Sequence, residues 1–142
     1  MCFVVADTDH TSRAKVEASP GGLRPDEYVR IPRSREVGEP FLRSAFKTLY
    51  ALAWSLVLVG RRRPQLILCN GPGTCLPICL AAFCFRVLFF MDVRIVFCES
   101  FCRVTTLSLT GKLLYPIADR FVVQWPQLRE RYRRAEYVGV LC

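Results

Sequence analysis

The chain has 142 residues, enough for one domain with a sizeable core. Hydrophobic residues make up 52% and charged residues 23%, which excludes a disordered chain. The net charge of +8 suits nucleic acid or an anionic membrane surface, but the arginines are scattered without an interleaved aromatic stripe, so no nucleic-acid partner is expected.

In chain order, residues 2–6 and 28–32 are predicted to be short strands, the second one stopped by a proline. Helical spacing of apolar residues then predicts a helix over residues 41–59. Its second half, residues 49–59, is apolar nearly all round, so it packs in the core or contacts lipid. Eleven such residues are too few to span a bilayer, which takes about 20.

The second half of the chain alternates strands and helices. Strands are predicted at residues 66–69, 94–98, 121–124 and 137–140, and helices from Thr74 to about residue 90, over 107–117 and over 126–135. The first of these strands is a continuous apolar run, typical of a strand buried on both faces. This alternation predicts an α/β fold with a Rossmann-like parallel sheet and crossover helices. Ligands of such folds bind beyond the carboxyl ends of the strands.

Residues 66–90 by themselves suggest a membrane hairpin, a metal site built on cysteines, or a strand–loop–helix corner. The alternation favours the corner. The eight cysteines form no CxxC pair and lie mostly in apolar runs, and the only histidine is His10, so buried reduced thiols in a reducing compartment are expected. No metal and no cofactor are predicted.

The corner loop is Gly71-Pro72-Gly73-Thr74, ahead of a helix N-terminus. Its glycines permit a close approach of a ligand, and the helix end favours a phosphate or diphosphate. The sequence GPGT is neither a P-loop nor GxGxxG, so a tight turn that only needs small residues fits equally well.

Two further corners hold candidate residues. Glu99, Ser100 and Arg103 follow the second strand of the alternating half, where the carboxylate can accept a proton or a sugar hydroxyl and the guanidinium can bind phosphate. The alternative is a Glu99–Arg103 ion pair that only holds the loop. Gln124 and Trp125 end a strand and start a helix, with a tryptophan facing a partner as the other possibility.

Four segments, taken together and in order, resemble one family: IPRSREV at 31–37, LILCNGPGTCLPIC at 66–79, ESFCRVTTLSLTGKLLYPIAD at 99–119 and FVVQWPQLRERY at 121–132. They are similar to the membrane-anchoring subunit of the UDP-N-acetylglucosamine transferase that makes dolichyl-diphospho-chitobiose. The similarity covers residues 4–139.

The resemblance implies a fold like the N-terminal half of a GT-B glycosyltransferase, on the cytosolic face of the endoplasmic reticulum membrane. It implies a soluble catalytic partner subunit that binds UDP-GlcNAc, a dolichyl-diphosphate-GlcNAc acceptor, and contact with the membrane surface through residues 49–59 and 76–90. This subunit alone is expected not to catalyse transfer.

The same resemblance implies the roles of the candidate residues. Glu99 is the candidate for a hydroxyl contact or for the general base, and Gln124 and Trp125 are expected to face the partner. The residues expected to bind the acceptor or its phosphates are Asn70, Gly71, Gly73, Thr74, Ser100 and Arg103.

The chain departs from the family at its start, where members have a transmembrane anchor, a first strand and a GSGGH-type loop. We therefore expect residues 1–142 to form a single, incomplete Rossmann-like acceptor-side domain that lacks the first, central strand. The strands at Val4 and Leu66 would then each have an unpaired edge.

Two other functions compete with this interpretation. A self-contained nucleotide-dependent enzyme needs a phosphate loop after its first strand, which this chain does not show. A basic peripheral protein that binds membranes or RNA, with no role in transfer, is the remaining alternative.

Overall fold

The computed structural model describes residues 2–6, 27–31, 41–70, 73 and 75–139. In chain order the elements are β1 (Cys2–Ala6), β2 (Glu27–Ile31), α1 (Phe41–Arg62), β3 (Leu66–Asn70), α2 (Cys75–Leu88), β4 (Arg94–Cys98), α3 (Leu109–Leu114), β5 (Arg120–Val123), α4 (Pro126–Arg131) and β6 (Ala135–Tyr137).

Four of the strands form one parallel sheet in the order β3-β4-β5-β6. Asn70 pairs with Cys98, and Cys98 pairs with Val122, so three successive strands end at one edge. Each strand is followed by a helix on the way to the next strand, as parallel neighbours require. The predicted Rossmann-like parallel sheet with crossover helices is confirmed.

The strands β1 and β2 form a separate parallel pair. Among the described residues, β1 pairs only with β2, and β3 pairs only with β4. Val4 and Val29 pack against the same core as the larger sheet. The two sheets are therefore joined by side-chain packing and not by a shared ladder of hydrogen bonds.

Several predicted boundaries were wrong by two to four residues. The helix α1 continues to Arg62, α2 ends at Leu88, and α4 ends at Arg131. The strand β6 begins at Ala135, two residues before the predicted start. The helix α3 starts at Leu109, two residues later than predicted, because Ser108 is its N-cap.

The core lies between the four-stranded sheet and its helices. Its largest fully buried apolar side chains are Phe97, Phe121, Ile95, Leu114 and Leu128. The rings of Phe97 and Phe121 lie on neighbouring strands with their centroids 5.1 Å apart. Small residues at Ala81 and Ala82 let α2 approach the sheet closely.

The expectation that β3 is buried on both faces was wrong. Cys69 points to the helices and is buried, with its Sγ 3.2 Å from Cys79 of α2. Leu66 and Leu68 point the other way, and Leu68 is 70% exposed. The helix α2 packs on only one face of β3. The apolar sequence of this strand therefore did not by itself show that both of its faces are covered.

The helix α1 is also two-sided. Ala51, Ser55 and Val59 are buried, and the Ser55 hydroxyl donates to the carbonyl of Ala51 at 2.7 Å. The opposite side of α1 exposes large apolar residues. Among the described residues, no helix is both long enough and apolar enough to cross a membrane.

A hydrogen-bonded ion pair ties α2 to the sheet. Arg86 donates to both carboxylate oxygens of Asp119, at 3.0 and 2.8 Å, and its other nitrogen donates to the carbonyl of Ile117 at 3.3 Å. Asp119 also accepts the backbone N–H of Ile95 at 2.8 Å and donates its own N–H back to the carbonyl of Ile95 at 2.9 Å. The carboxylate therefore joins a helix, a strand and a loop.

We expect Asp119→Ala to lower the free energy of unfolding by about 2 kcal/mol, because it leaves a partly buried N–H and a guanidinium without their acceptor. Chemical denaturation of the detergent-solubilised protein measures this loss. Glu136→Ala is the matched control, since its ion pair with Arg120 is exposed and contributes little. Equal losses in both variants would contradict the structural role of Asp119.

Candidate functional site

The candidate site is the edge of the sheet where β3, β4 and β5 end. Asn70, the last residue of β3, is exposed and lies beside Cys98 in the sheet. Gly73 is exposed in the turn that follows, and its carbonyl accepts the N–H of Leu76 at 3.2 Å. Gly71 and Thr74, both predicted to bind the acceptor, lie outside the described residues.

Glu99 lies under the next loop and is 0% exposed. One carboxylate oxygen accepts the N–H of Ser100 at 2.9 Å. The other accepts the N–H of Ser108 at 3.0 Å and its hydroxyl at 3.1 Å. Burying an ionised carboxylate is tolerated only when hydrogen bonds replace its water, and these three bonds do so. They also join the two ends of the loop formed by residues 99–108.

The start of α3 completes the pocket that holds this carboxylate. The Ser108 hydroxyl, besides donating to Glu99, accepts the N–H of Gly111 at 2.9 Å and so caps the helix. A Cβ atom at position 111 would overlap Oε2 of Glu99, so only glycine fits there. Buried Gly111 is thus required by the carboxylate and not by its own backbone conformation.

Gln124 ties the β5 corner to the β4 corner. It is 5% exposed, and its side-chain amide donates to the carbonyl of Glu99 at 3.1 Å and lies 3.8 Å from the sulfur of Cys98. The expectation that Gln124 faces a partner does not fit this position, because a side chain that is 5% exposed has almost no surface that a partner could contact. Its neighbour Trp125 remains half-exposed.

The outer surface of the site consists of the loop after Glu99. Arg103 is exposed, and its N–H donates to the carbonyl of Ser100 at 3.0 Å, which closes a turn. Ser100 is half-buried next to it. The Glu99–Arg103 ion pair considered as an alternative is not formed, because the carboxylate faces inward to Ser100 and Ser108. The guanidinium of Arg103 instead faces solvent.

Three cysteines lie under the corner between β3 and α2. A hydrogen bond with Cys75 acts to lower the pKa of Cys69, but hydrogen bonding with Cys79 and burial outweigh it and raise that pKa far above its usual value. Hydrogen bonding with Cys69 and burial likewise raise the pKa of Cys75. These thiols stay protonated and are poor nucleophiles. Among the described residues, no group of three or more His, Cys, Asp or Glu is arranged to hold a metal ion.

The described groups at this edge suit binding better than bond-making. The exposed or half-exposed polar side chains of Asn70, Ser100 and Arg103 can donate hydrogen bonds to a ligand, and Arg103 adds a positive charge. The one buried carboxylate is fully engaged in holding the loop. The arrangement fits an anionic or hydroxyl-bearing ligand resting on a rigid base.

Sequence reasoning missed Ser108, Gly111 and Phe101. A serine directly before an apolar-periodic run is an N-cap signal that would have found Ser108. Nothing in the sequence signals that Gly111 borders a carboxylate twelve residues earlier. Phe101 contacts Trp125 across two corners, a pairing that only the fold creates.

Comparison with protein families gives one match over nearly the whole chain. Residues 1–141 match the family described as "Oligosaccharide biosynthesis protein Alg14 like". The chain is 45% identical over 146 residues to the "UDP-N-acetylglucosamine transferase subunit ALG14" of Rattus norvegicus, covering 96% of this chain and 68% of that protein. It is 48% identical over 137 residues to the protein of the same name from Yarrowia lipolytica, covering 95% of this chain and 63% of that one.

Among solved structures, the chain is similar to MurG of Acinetobacter baumannii. The TM-score is 0.61 at 16% sequence identity, and the match covers 89% of this chain and 33% of MurG. At that identity the likeness concerns the fold. The predicted similarity to one half of a GT-B glycosyltransferase is confirmed.

We expect Gly111→Ala to lower the melting temperature by several degrees, because the new methyl group displaces the buried carboxylate of Glu99 from its three donors. Lys112→Ala, at an exposed position of the same helix, is the control for helix propensity and should leave the melting temperature nearly unchanged. Both are measured by thermal denaturation of the detergent-solubilised protein. An unaltered melting temperature for Gly111→Ala would show that Glu99 is not held as described.

Proposed function

The chain belongs to the Alg14 family of oligosaccharide biosynthesis proteins, and from that premise we propose that it is the anchoring, partner-recruiting and acceptor-binding subunit of a UDP-N-acetylglucosamine transferase. The reaction is the addition of the second GlcNAc to dolichyl-diphosphate-GlcNAc during protein N-glycosylation. The relatives named as subunits of that transferase support this role. The alternative, a basic membrane protein without a role in transfer, has no such support.

The main support for the proposal is the edge of the sheet at which the parallel strands β3, β4 and β5 end. The segments after β3, β4 and β5 emerge side by side, and Gln124 bonds directly to the backbone of Glu99. In parallel α/β sheets this edge is where ligands bind. A polar, positively charged surface there fits an acceptor that carries a diphosphate next to a sugar.

In the proposed acceptor site, Arg103 binds the diphosphate through charge-assisted hydrogen bonds. Asn70 and Ser100 add neutral donors from the two neighbouring corners. The assignment of Gly71, Gly73 and Thr74 to the diphosphate is part of the same proposal, because these residues precede α2 in the chain, a helix of 14 residues whose N-terminus favours an anion.

Glu99 is assigned a positioning role in this proposal. A general base needs an accessible carboxylate near the acceptor hydroxyl, whereas this carboxylate is buried and accepts three hydrogen bonds from its own loop. It acts on the acceptor only through the placement of Ser100 and Arg103. A group outside the described residues, or a group of the partner subunit, then removes the proton from the acceptor hydroxyl.

We propose that this chain does not transfer sugar by itself and that a separate subunit binds UDP-GlcNAc. Relatives of the chain are named as subunits of a transferase, which supports a division of the enzyme between two chains. Residues 1–142 accordingly form the acceptor-side domain. Trp125, half-exposed at the same edge, is available to a ligand or to the partner.

We propose further that the chain contacts the membrane through the apolar face of α1, defined as Phe46, Leu49, Tyr50, Trp54 and Val57. All five are exposed, up to 74% for Phe46, and their spacing of three or four residues places them on one side of the helix. An exposed apolar stripe of this size on an ordinary soluble surface is unusual. Tyr and Trp side chains with polar atoms suit the membrane–water interface.

The end of α2 extends this surface. Val87, Leu88 and Phe89 are exposed, and Phe90 is 91% exposed. Gly60 packs closely against the ring of Phe85, so the ends of α1 and α2 are adjacent. Three arginines at positions 61–63 follow at this end and are exposed, where they can meet anionic lipid headgroups.

The proposed location is the cytosolic face of the endoplasmic reticulum membrane. The buried Cys69 and Cys79 are free thiols. Free thiols fit a reducing compartment. The dolichol-linked acceptor fits a membrane surface.

We expect Arg103→Ala to lower kcat/KM for the acceptor roughly 10- to 100-fold in the assembled transferase, because a charge-assisted bond to the diphosphate is lost. Arg94→Ala, an exposed arginine at the other end of β4, should leave transfer unchanged. The assay is GlcNAc transfer to a soluble-chain analogue of dolichyl-diphosphate-GlcNAc, with melting temperatures recorded in parallel.

Glu99→Gln in the same assay separates positioning from proton transfer. As a positioning residue, it should lose stability and activity together and keep the pH profile of kcat. Loss of kcat at full stability, with a changed pH profile, would restore the general-base role. Unchanged kcat/KM for Arg103→Ala would remove Arg103 from the acceptor site.

For the membrane surface, we expect the double variant Trp54→Glu, Phe90→Glu to abolish flotation with vesicles of phosphatidylcholine and phosphatidylserine, because two charges replace apolar anchors. Val138→Glu, at an equally exposed apolar position after β6, should float as the unaltered protein does. Flotation of the double variant at wild-type levels would exclude this surface as the membrane contact.

A further inference from the structure

Trp125 forms an aromatic pair with Phe101 on the same edge of the sheet. The rings of Phe101 and Trp125 have centroids 5.2 Å apart and planes inclined by 38°. The indole N–H of Trp125 donates to the backbone carbonyl of Phe101 at 2.8 Å. Phe101 is 41% exposed and Trp125 is half-exposed, so each ring keeps a free surface.

The pair is held rigidly before any ligand arrives. Phe101 comes two residues after buried Glu99, and Trp125 comes directly after buried Gln124, whose amide donates to the carbonyl of Glu99. Pro126 follows Trp125 and starts α4. The bond between Trp125 and Phe101 links the two rings, and the buried bond between Gln124 and Glu99 holds the backbone beside them. Rings held in this way lose little conformational entropy on binding, which makes them an efficient contact surface.

The chemistry around the rings decides which ligand suits them. The polar atom of the indole is already satisfied by Phe101, so the pair offers apolar ring surface. Ser100 and Arg103 stand on either side of Phe101 in a closed turn and offer hydroxyl and guanidinium donors. An apolar surface flanked by donors matches a pyranose ring, which has an apolar C–H face and a polar rim.

We propose that Phe101 and Trp125 form a stacking site for the sugar ring of the acceptor. This inference rests on the proposed function, since it names the part of the acceptor that this edge recognises. The sugar and the diphosphate of such an acceptor are directly bonded, and Phe101 and Arg103 are two residues apart in one turn. The aromatic pair binds the sugar while Arg103 binds the adjacent phosphate.

The stacking site makes the subunit selective for a lipid that already carries its first sugar. A lipid diphosphate without sugar would meet Arg103 but leave the aromatic surface uncovered. Phe101 and Trp125 are thus specificity-determining residues, whereas Arg103 contributes equally to both lipids.

The test uses the assembled transferase and two probes, phytanyl-diphosphate-GlcNAc and phytanyl diphosphate. We expect Phe101→Leu and Trp125→Leu each to raise KM for the sugar-bearing acceptor roughly 5- to 10-fold with little change in kcat. Inhibition by phytanyl diphosphate should stay the same in both variants and weaken in Arg103→Ala. Leu113→Ala, an equally exposed apolar residue of α3, is the control and should alter neither constant.

A second readout does not depend on turnover. In a Trp54→Phe background, Trp125 is the only tryptophan, so its fluorescence reports on its own surroundings. The sugar-bearing lipid should change this emission, and phytanyl diphosphate should not.

The outcomes separate the two proposals. No transfer and no binding of either lipid by the unaltered complex would overturn the proposed function. Normal transfer that depends on Arg103, with unchanged KM in Phe101→Leu and Trp125→Leu, would overturn the stacking site alone. Loss of partner co-purification in Trp125→Leu at unchanged acceptor KM would reassign the aromatic pair to the subunit interface.

Discussion

The buried carboxylate of Glu99 is the constraint on which the described edge depends. A charge removed from water must find hydrogen-bond donors, and Glu99 finds them in Ser100 and Ser108, at both ends of the loop that follows β4. Gln124 then fixes the next corner by donating to the carbonyl of the same residue. Gly111 leaves the space that the carboxylate occupies. The backbone that carries the polar groups of the edge is therefore held in place before any ligand binds.

Rigid support of this kind would suit the large, two-part acceptor that we propose. The proposed diphosphate contact, Arg103, and the proposed sugar contacts, Phe101 and Trp125, belong to two corners that the Gln124–Glu99 bond holds together. Pre-organised groups lose less entropy when a ligand binds. The same logic accounts for a buried carboxylate in a subunit to which we assign no bond-making step: its role is to place other side chains.

The surface formed by α1 and the end of α2 differs in chemistry from the polar edge. The exposed residues of α1 and the end of α2 are large and apolar, and arginines follow them, whereas the polar edge is built from loops between strands. An apolar surface next to cations suits a lipid headgroup region. The helix α1 packs on α2, the ends of the two helices are adjacent at Gly60 and Phe85, and α2 starts next to the polar edge. This arrangement would hold the acceptor edge at a fixed position relative to the bilayer.

The sequence by itself determined the parallel α/β sheet, its chain order and the corners at Asn70, Glu99 and Gln124, because hydrophobic periodicity and turn residues are local properties. Its motifs also sufficed to indicate the family. Only the tertiary structure decided that Glu99 and Gln124 point inward, that Leu66 and Leu68 remain exposed, and that Phe101 meets Trp125. Those outcomes depend on contacts between residues far apart in the chain, such as Gly111 against Glu99 and Cys69 against Cys79. Periodicity shows which residues are apolar, but the direction in which a loop side chain points is set by the partners that the fold brings to it.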